Sequence, residues 1–346
     1  MPTITFIATN RRPDLFLHDP SFRYRCENLA LALQDLGWQT RLVHARRLAL
    51  RDAGQIAVFH RPALTPRLGW LLWRLRRRGV TLVADFDDLV FDPDYAEFSP
   101  AVLNGILPLR TMRQAFSASR RALGWFDKVT VSTQPLREHL QRLAPELDVA
   151  VVPNAVHHSW LGEFPVATEH GGPKILTYFP GTRSHDQDFG RIVPALERLL
   201  AQHPELQLQI TGRLQCTLRA APGQLVQSDR VDFATYGPQV RRGWVNLAPL
   251  EDTPFNRGKS ALKVIEAGFH GIPTVCSPGP DVERFRAAGA VIVEDFAAWG
   301  DAIESLLQPE VYQAATLQLR ERVLELADPA GMAQGFLEAI KRGHRA

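Results

Sequence analysis

The sequence has little of several features that mark specialised classes of protein. Its three cysteines, Cys26, Cys216 and Cys276, are odd in number and far apart, and their spacing fits neither a zinc site nor a disulfide framework. No run of about 18 apolar residues occurs, so we expect no membrane-spanning helix. The first residues, MPTITFIATN, lack the basic and apolar segments of a signal peptide. These absences together predict a protein of the reducing cytoplasm.

The excess of positive charge is also small. A net charge of +3 and a pI near 8.9 are too weak to predict nucleic-acid binding, although they suit anionic ligands. Neither half of the chain has the pattern G-x-G-x-x-G after its first apolar segment, which argues against a nicotinamide dehydrogenase. With 45% hydrophobic residues spread over 346 positions, the chain has enough apolar side chains for two globular domains.

Short apolar segments alternate with helical patterns along the whole chain. In the first half we predict strands at 3–9, 39–45, 55–60, 80–86, 128–133 and 148–156, with helices at 22–37 and 66–79. A polar stretch at 162–173 reads as a linker. In the second half we predict strands at 174–181, 206–212, 231–237, 243–250, 274–278 and 290–294, with a helix at 189–204.

This alternation predicts an α/β fold of two doubly wound, Rossmann-like domains in series, with a cleft between them. We place the first domain at 1–160 and the second at 161–327. The last helical segment, about 328–346, is expected to pack back on the first domain. Ligands of such folds bind beyond the carboxyl ends of the strands, so polar residues that directly follow a strand are candidates for function.

The stretch FNRGKSALKVIEAGFHGIPTV follows one of these strands. Ser260 is a candidate N-cap, and a helix N-terminus after Gly258 suits a phosphate. Lys259 and Lys263 are spaced to share a helix face with Glu266, so one face combines cations for a diphosphate with a carboxylate for ribose hydroxyls. The alternative is an exposed helix start with a Lys–Glu surface pair. The many apolar residues favour burial, where charge needs a partner.

Two further stretches follow predicted strands in the same way. In YFPGTRSHDQDF, Gly181 and Thr182 precede Arg183, which can bind a phosphate, or else the stretch is a solvated turn capped by Asp186 or Asp188. In VADFDDLVFDPD, the carboxylates can bind sugar hydroxyls or a metal, act as a base, or cap a turn. These carboxylates are Asp85, Asp87 and Asp88. His60 and Arg61 likewise end the third strand.

The predicted helix 66–79 is rich in arginine and carries Trp70 and Trp73. Such a helix can dock on an anionic membrane surface, or it can cover the sheet with one face and leave the other in water. The segment 109–126 adds further arginines to the same part of the sequence.

The most specific of these stretches resembles a known family. VNLAPLEDTPFNRGKSALKVIEAGFHGIPTVCS (245–277) is similar to a variant pattern, APL-x-D-x-x-F-N-x-x-K-S-x-L-K-x-x-E, of glycosyltransferases with the two-domain GT-B fold that are like glycosyltransferase family 4. VVPNAV (151–156), ILTYFPGTRSHDQDF (175–189) and LQITG (208–212) resemble further parts of that family. Over 1–150 the resemblance rests on the strand–helix pattern and on the Asp-Asp pair after the fourth strand.

The resemblance implies a nucleotide-sugar donor held mostly by the second domain. Glu266 would bind the ribose, Arg183 the diphosphate, and 258–260 would form the loop that faces the diphosphate and the sugar. The implied donor-binding residues are Gly181, Thr182, Arg183, Gly212, Asn256, Gly258, Lys259, Ser260, Lys263 and Glu266. The implied catalytic residues are Arg183, Lys259, Asp87, Asp88 and His60. No cofactor and no metal are expected, because cationic side chains would stabilise the leaving diphosphate.

The chain departs from the common family pattern at two positions. Gly258 stands where the family usually has the first glutamate of E-x7-E, so Glu251 or Asp252 is expected to supply that carboxylate. The usual lysine after the arginine is also absent, and Lys259 or Lys263 is expected to take its charge, with His185 nearby.

The resemblance therefore implies a retaining, metal-independent glycosyltransferase of bacterial polysaccharide biosynthesis. Its acceptor would be a glycan or a lipid-linked molecule, met at the inner face of the cytoplasmic membrane by a peripheral protein that does not bind nucleic acid. Two alternatives stay open: a nucleotide-sugar 2-epimerase on a similar fold, and a catalytically silent homologue that binds a nucleotide or a glycan.

Overall fold

The computed structural model describes residues 2–163, 173–181, 185–215 and 217–341. In these residues the chain forms two parallel six-stranded sheets, one from each half. The strands of the first sheet, β1 to β6 in chain order, are Thr3–Ala8, Gln39–His44, Ile56–His60, Thr81–Phe86, Lys128–Val131 and Val149–Val151. The strands of the second sheet, β7 to β12, are Lys174–Tyr178, Leu206–Thr211, Leu225–Ser228, Val245–Ala248, Thr274–Cys276 and Val291–Ile292.

The α-helices of the described residues are numbered α1 to α14. Those of the first half are Pro20–Phe22, Asn28–Asp35, Pro66–Arg76, Pro100–Leu103, Leu109–Leu123 and Gln134–Leu143. Those of the second half are Asp186–Gly190, Val193–Gln202, Phe233–Val240, Leu262–Phe269, Trp299–Ser305, Pro309–Thr316, Leu319–Leu326 and Pro329–Lys341. A π-helical turn, Arg23–Glu27, joins α1 to α2. None of the described helices is both long and apolar enough to cross a membrane.

The strand order places one switch point in each sheet. The first sheet runs β2-β1-β3-β4-β5-β6 and the second β12-β11-β10-β7-β8-β9, so the order reverses between β1 and β3 and between β7 and β10. The loops that follow these strands form the crevices where ligands of such sheets bind. At the first crevice the Thr9 hydroxyl lies 2.9 Å from the His60 carbonyl oxygen, which joins the ends of β1 and β3.

Helices cover both faces of each sheet, which explains why the central strands are almost continuously apolar. On the first sheet, α3, α5 and α6 pack on one face, while α2 and α14 pack on the other. The C-terminal helix α14 therefore returns to the first sheet. Phe336 lies fully buried with its ring centroid 6.2 Å from that of Phe6, and the Lys128 ammonium donates to the carbonyl of Ala339.

The strand predicted at 231–237 is wrong, because this segment forms most of helix α9. Its apolar side chains at 233, 236 and 240 are three and four residues apart, which is helical spacing. The strand lies earlier, as β9, at the exposed edge of the second sheet. An edge strand with mostly exposed side chains needs no apolar run, so sequence periodicity missed it.

Two helices that the sequence predicts as continuous are each divided into separate segments in the structure. The helix predicted at 22–37 starts earlier, at Pro20, where the Asp19 carboxylate accepts from the backbone N–H of Ser21, and its early part is the π-helical turn. The helix predicted at 189–204 is divided between α7 and α8. The predicted linker 162–173 lies almost entirely outside the described residues.

Candidate functional site

The residues before α10 lie at the switch point of the second sheet. Asn256–Gly258 form a 3₁₀ turn, and Lys259 follows with an extended backbone, ψ 147°. Lys259 is therefore outside the helix, and the prediction that it shares a helix face with Lys263 and Glu266 is wrong. Lys263 and Glu266 do both lie on α10.

Ser260 is not the N-cap of this helix either. The N-cap is Ala261, whose backbone N–H donates to a carboxylate oxygen of Asp281 at 2.7 Å. The Ser260 hydroxyl instead accepts from the side-chain amide of Asn154 at 2.8 Å. Asn154 belongs to the VVPNAV segment, so Ser260 ties the start of α10 to the junction between the two sheets.

The two lysines reach different partners around the same crevice. The Lys263 ammonium donates to the carbonyl of Phe179, just after β7. Burial lowers the pKa of Lys263 to about 8, with Glu266 opposing and Lys259 adding to the shift. The Lys259 ammonium lies 3.4 Å from a carboxylate oxygen of Asp88 in the first domain. Positive charge from the second domain therefore meets negative charge from the first across the cleft.

The carboxylate of Glu266 is held by two tyrosines. Only 6% of Glu266 is exposed. The hydroxyl of Tyr24 donates to Oε1 at 2.5 Å, and that of Tyr236 donates to Oε2 at 2.8 Å. Burial raises the pKa of Glu266, while the tyrosine hydrogen bonds and the Lys263 charge oppose that rise.

Tyr24 comes from the first domain, so this contact also joins the two halves of the chain. Its ring packs edge-on against His157, Trp160 and Phe233, with centroids 5.6 to 6.5 Å apart. Sequence reasoning missed both tyrosines. Tyr24 lies 242 residues from Glu266, and no local pattern links the two.

A second polar cluster lies at the switch point of the first sheet. The Ser21 hydroxyl lies 2.5 Å from a carboxylate oxygen of Asp87 and 2.7 Å from Nε2 of His60. Arg61 donates to Asp87 and, at 2.6 Å, to Asp88. Burial alone would raise the pKa of Asp87, but Arg61 and His60 hold it well below its usual range. The predicted residues His60, Asp87 and Asp88 thus do come together, with Ser21 and Arg61 as added members.

Arg61 has a backbone φ of 46°, in the left-handed region that residues other than glycine rarely adopt. Its backbone N–H donates to the carbonyl of Asp85 at 2.7 Å, which holds this turn beside β4. Such strain often occurs at functional sites.

The described residues contain no group of three or more side chains arranged to hold a metal ion.

Asp85, the first acid of the DFDD stretch (85–88), has a different environment from Asp87 and Asp88. Asp85 is buried and accepts two hydrogen bonds from Arg25, at 2.7 and 3.0 Å. Arg25 also donates to Asn154 at 3.0 Å and to the carbonyl of Val152. This buried pair positions the VVPNAV segment, and through Asn154 it supports Ser260.

The glycines predicted to approach a ligand have distinct surroundings. The Gly258 carbonyl accepts from Thr133 at 2.8 Å, and a Cβ at Gly258 would lie 2.8 Å from a methyl of Leu136. Gly258 is therefore packed against the first domain, which explains why no side chain stands here. Gly181 and Gly212 both have positive φ, 70° and 137°, after β7 and β8. Thr182 and Arg183 lie outside the described residues, so their roles stay predictions.

A buried carboxylate, Asp188, organises the loop between β10 and α10. It accepts from the backbone N–H of Glu251 at 2.8 Å and from the side-chain amide of Asn256 at 3.3 Å, and it lies 2.8 Å from Nδ1 of His185. Asp252 was a candidate for the missing family carboxylate. Its side chain is 70% exposed and pairs with Arg257 at the surface.

The other candidate, Glu251, has its carboxylate 3.5 Å from the guanidinium of Arg191, a side chain that is itself mostly exposed. The structure thus directs both candidate acids toward surface arginines. Beside Asn256 it places Asp188 with His185 instead; from the sequence, Asp188 was expected only as the cap of a turn, and His185 only as a residue near the phosphate-binding charge.

The sequence matches no family model and no curated protein, but solved structures of similar fold exist. Sucrose-phosphate synthase from Thermosynechococcus elongatus matches with a TM-score of 0.68 and 15% identity over 99% of both chains. HepE from Anabaena, solved in complex with UDP-glucose, matches with a TM-score of 0.64 and 11% identity over 99% of this chain and 100% of its own. A glycosyltransferase from Rickettsia africae matches with a TM-score of 0.63 and 13% identity over 99% and 98%.

At these identities the likeness concerns the fold. It extends over nearly the whole chain, and it agrees with the two parallel sheets and their switch points. The protein therefore has the GT-B fold predicted from its sequence: two doubly wound, Rossmann-like domains that face each other across a cleft.

Proposed function

We propose that the protein is a glycosyltransferase that moves a sugar from a nucleotide-diphosphate sugar to a bacterial glycan or lipid-linked acceptor. The observation that carries the proposal is the meeting of Lys259, Lys263 and Glu266 at the switch point of the second sheet, opposite Asp87 and Asp88 of the first. The similar fold of HepE, solved with UDP-glucose, supports it.

In the proposed reaction the two lysines balance the charge of the diphosphate. As the bond from the anomeric carbon to the diphosphate breaks, negative charge grows on the leaving oxygen, and fixed cations stabilise that charge in a site shielded from water. We propose a retaining route: the acceptor hydroxyl attacks the anomeric carbon from the face that the diphosphate leaves, and its proton passes to the departing phosphate oxygen. Lys259 and Lys263 would supply this stabilisation without a metal.

Glu266 would bind the ribose hydroxyls of the donor. A carboxylate has about four lone-pair sites, and the two tyrosines use two of them. The remaining sites are the natural acceptors for a ribose. Because the carboxylate is almost fully covered, we expect Tyr24 to shift when a nucleotide enters.

The cluster of Ser21, His60, Arg61, Asp87 and Asp88 would face the acceptor. Ionised Asp87 accepts hydrogen bonds at neutral pH, since its pKa is held low. It can therefore orient a sugar hydroxyl of the acceptor. Arg61 would also suit a phosphate on a lipid-linked acceptor.

We also propose that the first domain contacts an anionic membrane through α3. Trp70 and Trp73 are 56% and 43% exposed, and the guanidinium groups of Arg74 and Arg77 lie 5.2 and 4.9 Å from their ring centroids. Neither α3 nor the neighbouring α5 contains an acidic residue. Exposed tryptophans among arginines favour the interface of an anionic bilayer.

Sedimentation with phosphatidylglycerol vesicles tests this contact. Trp70→Ser with Trp73→Ser should abolish co-sedimentation, whereas Leu317→Ser, at a second-domain side chain that is also 56% exposed, should not. Equal binding of all three proteins would remove the membrane from the proposal.

The donor site is tested first by thermal shift against UDP, GDP, CMP, dTDP and their sugars, since a ligand of the native state raises its unfolding temperature. For the best ligand, calorimetry compares Glu266→Ala with Glu325→Ala, an exposed glutamate of the same domain. We expect a strong loss of nucleotide affinity in the first variant alone. Unchanged affinity in Glu266→Ala would end the ribose assignment. Release of a modified sugar without any acceptor would favour an epimerase.

A further inference from the structure

Among the buried polar clusters of the described residues that have no part in the proposed reaction, one lies at the switch point of the second sheet. It consists of His185, Asp188 and Asn256, and we call it the Asp188 cluster. Phosphate-binding and ribose-binding roles are taken by Lys259, Lys263 and Glu266, and the Asp188 cluster adjoins them, since the backbone N–H of Lys259 donates to the carbonyl of Asn256 at 3.0 Å. It therefore borders the place where the diphosphate and its sugar would meet.

Asp188 fixes the orientation of both of its side-chain partners. It is 5% exposed, and its two oxygens are shared among Nδ1 of His185, the side-chain amide of Asn256 and the backbone N–H of Glu251. A carboxylate oxygen accepts hydrogen bonds, so Nδ1 of His185 is the donor in its contact with Asp188. In the neutral ring Nε2 is then an acceptor. Burial, together with Lys259 and Lys263, lowers the pKa of His185 against the opposing effect of Asp188, and this shift favours the neutral ring.

Asn256 offers a second acceptor. Its Nδ2 donates to Asp188 and, at 3.0 Å, to the carbonyl of Glu251, so the two amide atoms cannot exchange places without losing both bonds. Its Oδ1 is buried and has no hydrogen-bond partner among the described residues. Asn256 as a whole is only 9% exposed. A buried acceptor without a donor lowers stability until a ligand supplies one.

We propose that His185 and Asn256 form a hydroxyl-binding subsite for the sugar of the donor, with Asp188 as the positioning residue behind them. Nε2 of His185 and Oδ1 of Asn256 each accept a hydrogen bond from a pyranose hydroxyl, next to the diphosphate held by the lysines. The subsite rests on the proposed function, because it needs a sugar attached to that diphosphate. It takes the role for which sequence reasoning had suggested Glu251 or Asp252.

Calorimetry with paired ligands tests the subsite. UDP, GDP and dTDP are each compared with their glucose, galactose, mannose and N-acetylglucosamine conjugates, using wild type, His185→Ala and Asn256→Ala. Loss of one neutral hydrogen bond should weaken binding of the preferred sugar conjugate about fivefold to tenfold. Binding of the matching nucleoside diphosphate should stay within about twofold, because the subsite touches only the sugar.

Two further variants separate recognition from structure. His185→Gln keeps an acceptor near the position of Nε2 and should recover most of the lost affinity for the sugar conjugate. His203→Ala is the matched control, since the side chain of His203 is partly buried, 19% exposed against 15% for His185, and pairs with Glu205 and Glu304. It should change neither affinity. His185→Gln also carries the test if the alanine variant does not fold.

The results distinguish a failure of the proposed subsite from a failure of the proposed function. If His185→Ala and Asn256→Ala weaken the nucleoside diphosphate and its sugar conjugate equally, the cluster is only structural and the subsite is wrong. The subsite is equally wrong if neither ligand is affected. If wild type binds none of the nucleotides, the proposed function fails and the subsite falls with it.

Discussion

Replacing Lys263 by methionine should stabilise the ligand-free protein and weaken its binding of the nucleotide-sugar donor. The pKa of this buried lysine is about 8 instead of 10.5, so its charged form at pH 7 costs about 3 kcal/mol relative to the unfolded chain, at 1.36 kcal/mol per unit. Methionine has a similar length and no charge. It gives up the hydrogen bond to the Phe179 carbonyl, which is worth about 1 kcal/mol. The expected net gain at pH 7 is therefore about 2 kcal/mol.

The pH dependence identifies the cause. Between about pH 8 and pH 10.5 the folded lysine is neutral while the unfolded one is still protonated, so the unfolded state binds more protons. Stability from this group therefore rises with pH across that window, with a limiting slope of about 1.4 kcal/mol per unit. Tyr24 and Tyr236 act in the opposite direction, since burial raises the pKa of both. Both proteins contain the two tyrosines, so their contribution cancels when the unfolding free energy of wild type is subtracted from that of Lys263→Met.

Urea unfolding followed by tryptophan fluorescence, at pH 7, 8, 9 and 10, measures that difference. The stability advantage of the variant should shrink toward zero as the pH rises. Calorimetry at pH 7 should show that the variant has lost most of its affinity for the nucleoside diphosphate that wild type prefers. If the two stability curves run parallel from pH 7 to pH 10, the buried lysine does not titrate as the structure implies, and the reasoning is refuted.

Three further predictions concern contacts that join the two domains or support the junction between them. Gly258→Val should lower the unfolding free energy by about 1–3 kcal/mol through overpacking against Leu136. In thermal denaturation, adding Leu136→Ala to this variant should recover part of the lost stability. If the losses of the two single variants simply add in the double variant, the contact is contradicted. Tyr24→Phe should cost about 2 kcal/mol in urea unfolding, since it removes a hydrogen bond to a buried carboxylate, and an unchanged midpoint would argue against that bond in solution. Asp85→Ala should cost about 3–5 kcal/mol because it leaves the buried Arg25 unpaired; the double variant with Arg25→Met should be more stable than Asp85→Ala, and a less stable double variant would refute this explanation.

Part of the site could be predicted from sequence because its residues are close together in the chain. Lys263 and Glu266 lie three apart on α10, and the DFDD stretch (85–88) begins in the last two residues of β4 and continues directly after it. The rule that ligands bind beyond the carboxyl ends of parallel strands then placed both at the cleft. The same reasoning was wrong for Ser260 and Lys259, where distant residues decide the local structure. Asp281 caps the helix in place of Ser260.

The sequence by itself determined the fold class of this protein. Continuous apolar strands alternating with amphipathic helices can bury their faces only as parallel sheets covered on both sides, and that pattern is local enough to be read from the chain. It did not identify the edge strand β9, because an exposed edge needs no apolar run, and it mistook part of α9 for a strand.

Only the tertiary structure decided which polar groups work together. Tyr24 meets Glu266 across 242 residues, Arg25 pairs with Asp85, and Asp188 is joined to Asn256 by a contact within the second domain. Burial raises the pKa of Tyr24 and that of Glu266, and burial depends on how the two sheets and their helices pack. The sequence therefore supplied the charged residues at the strand ends, while the packing of the two domains selected their partners.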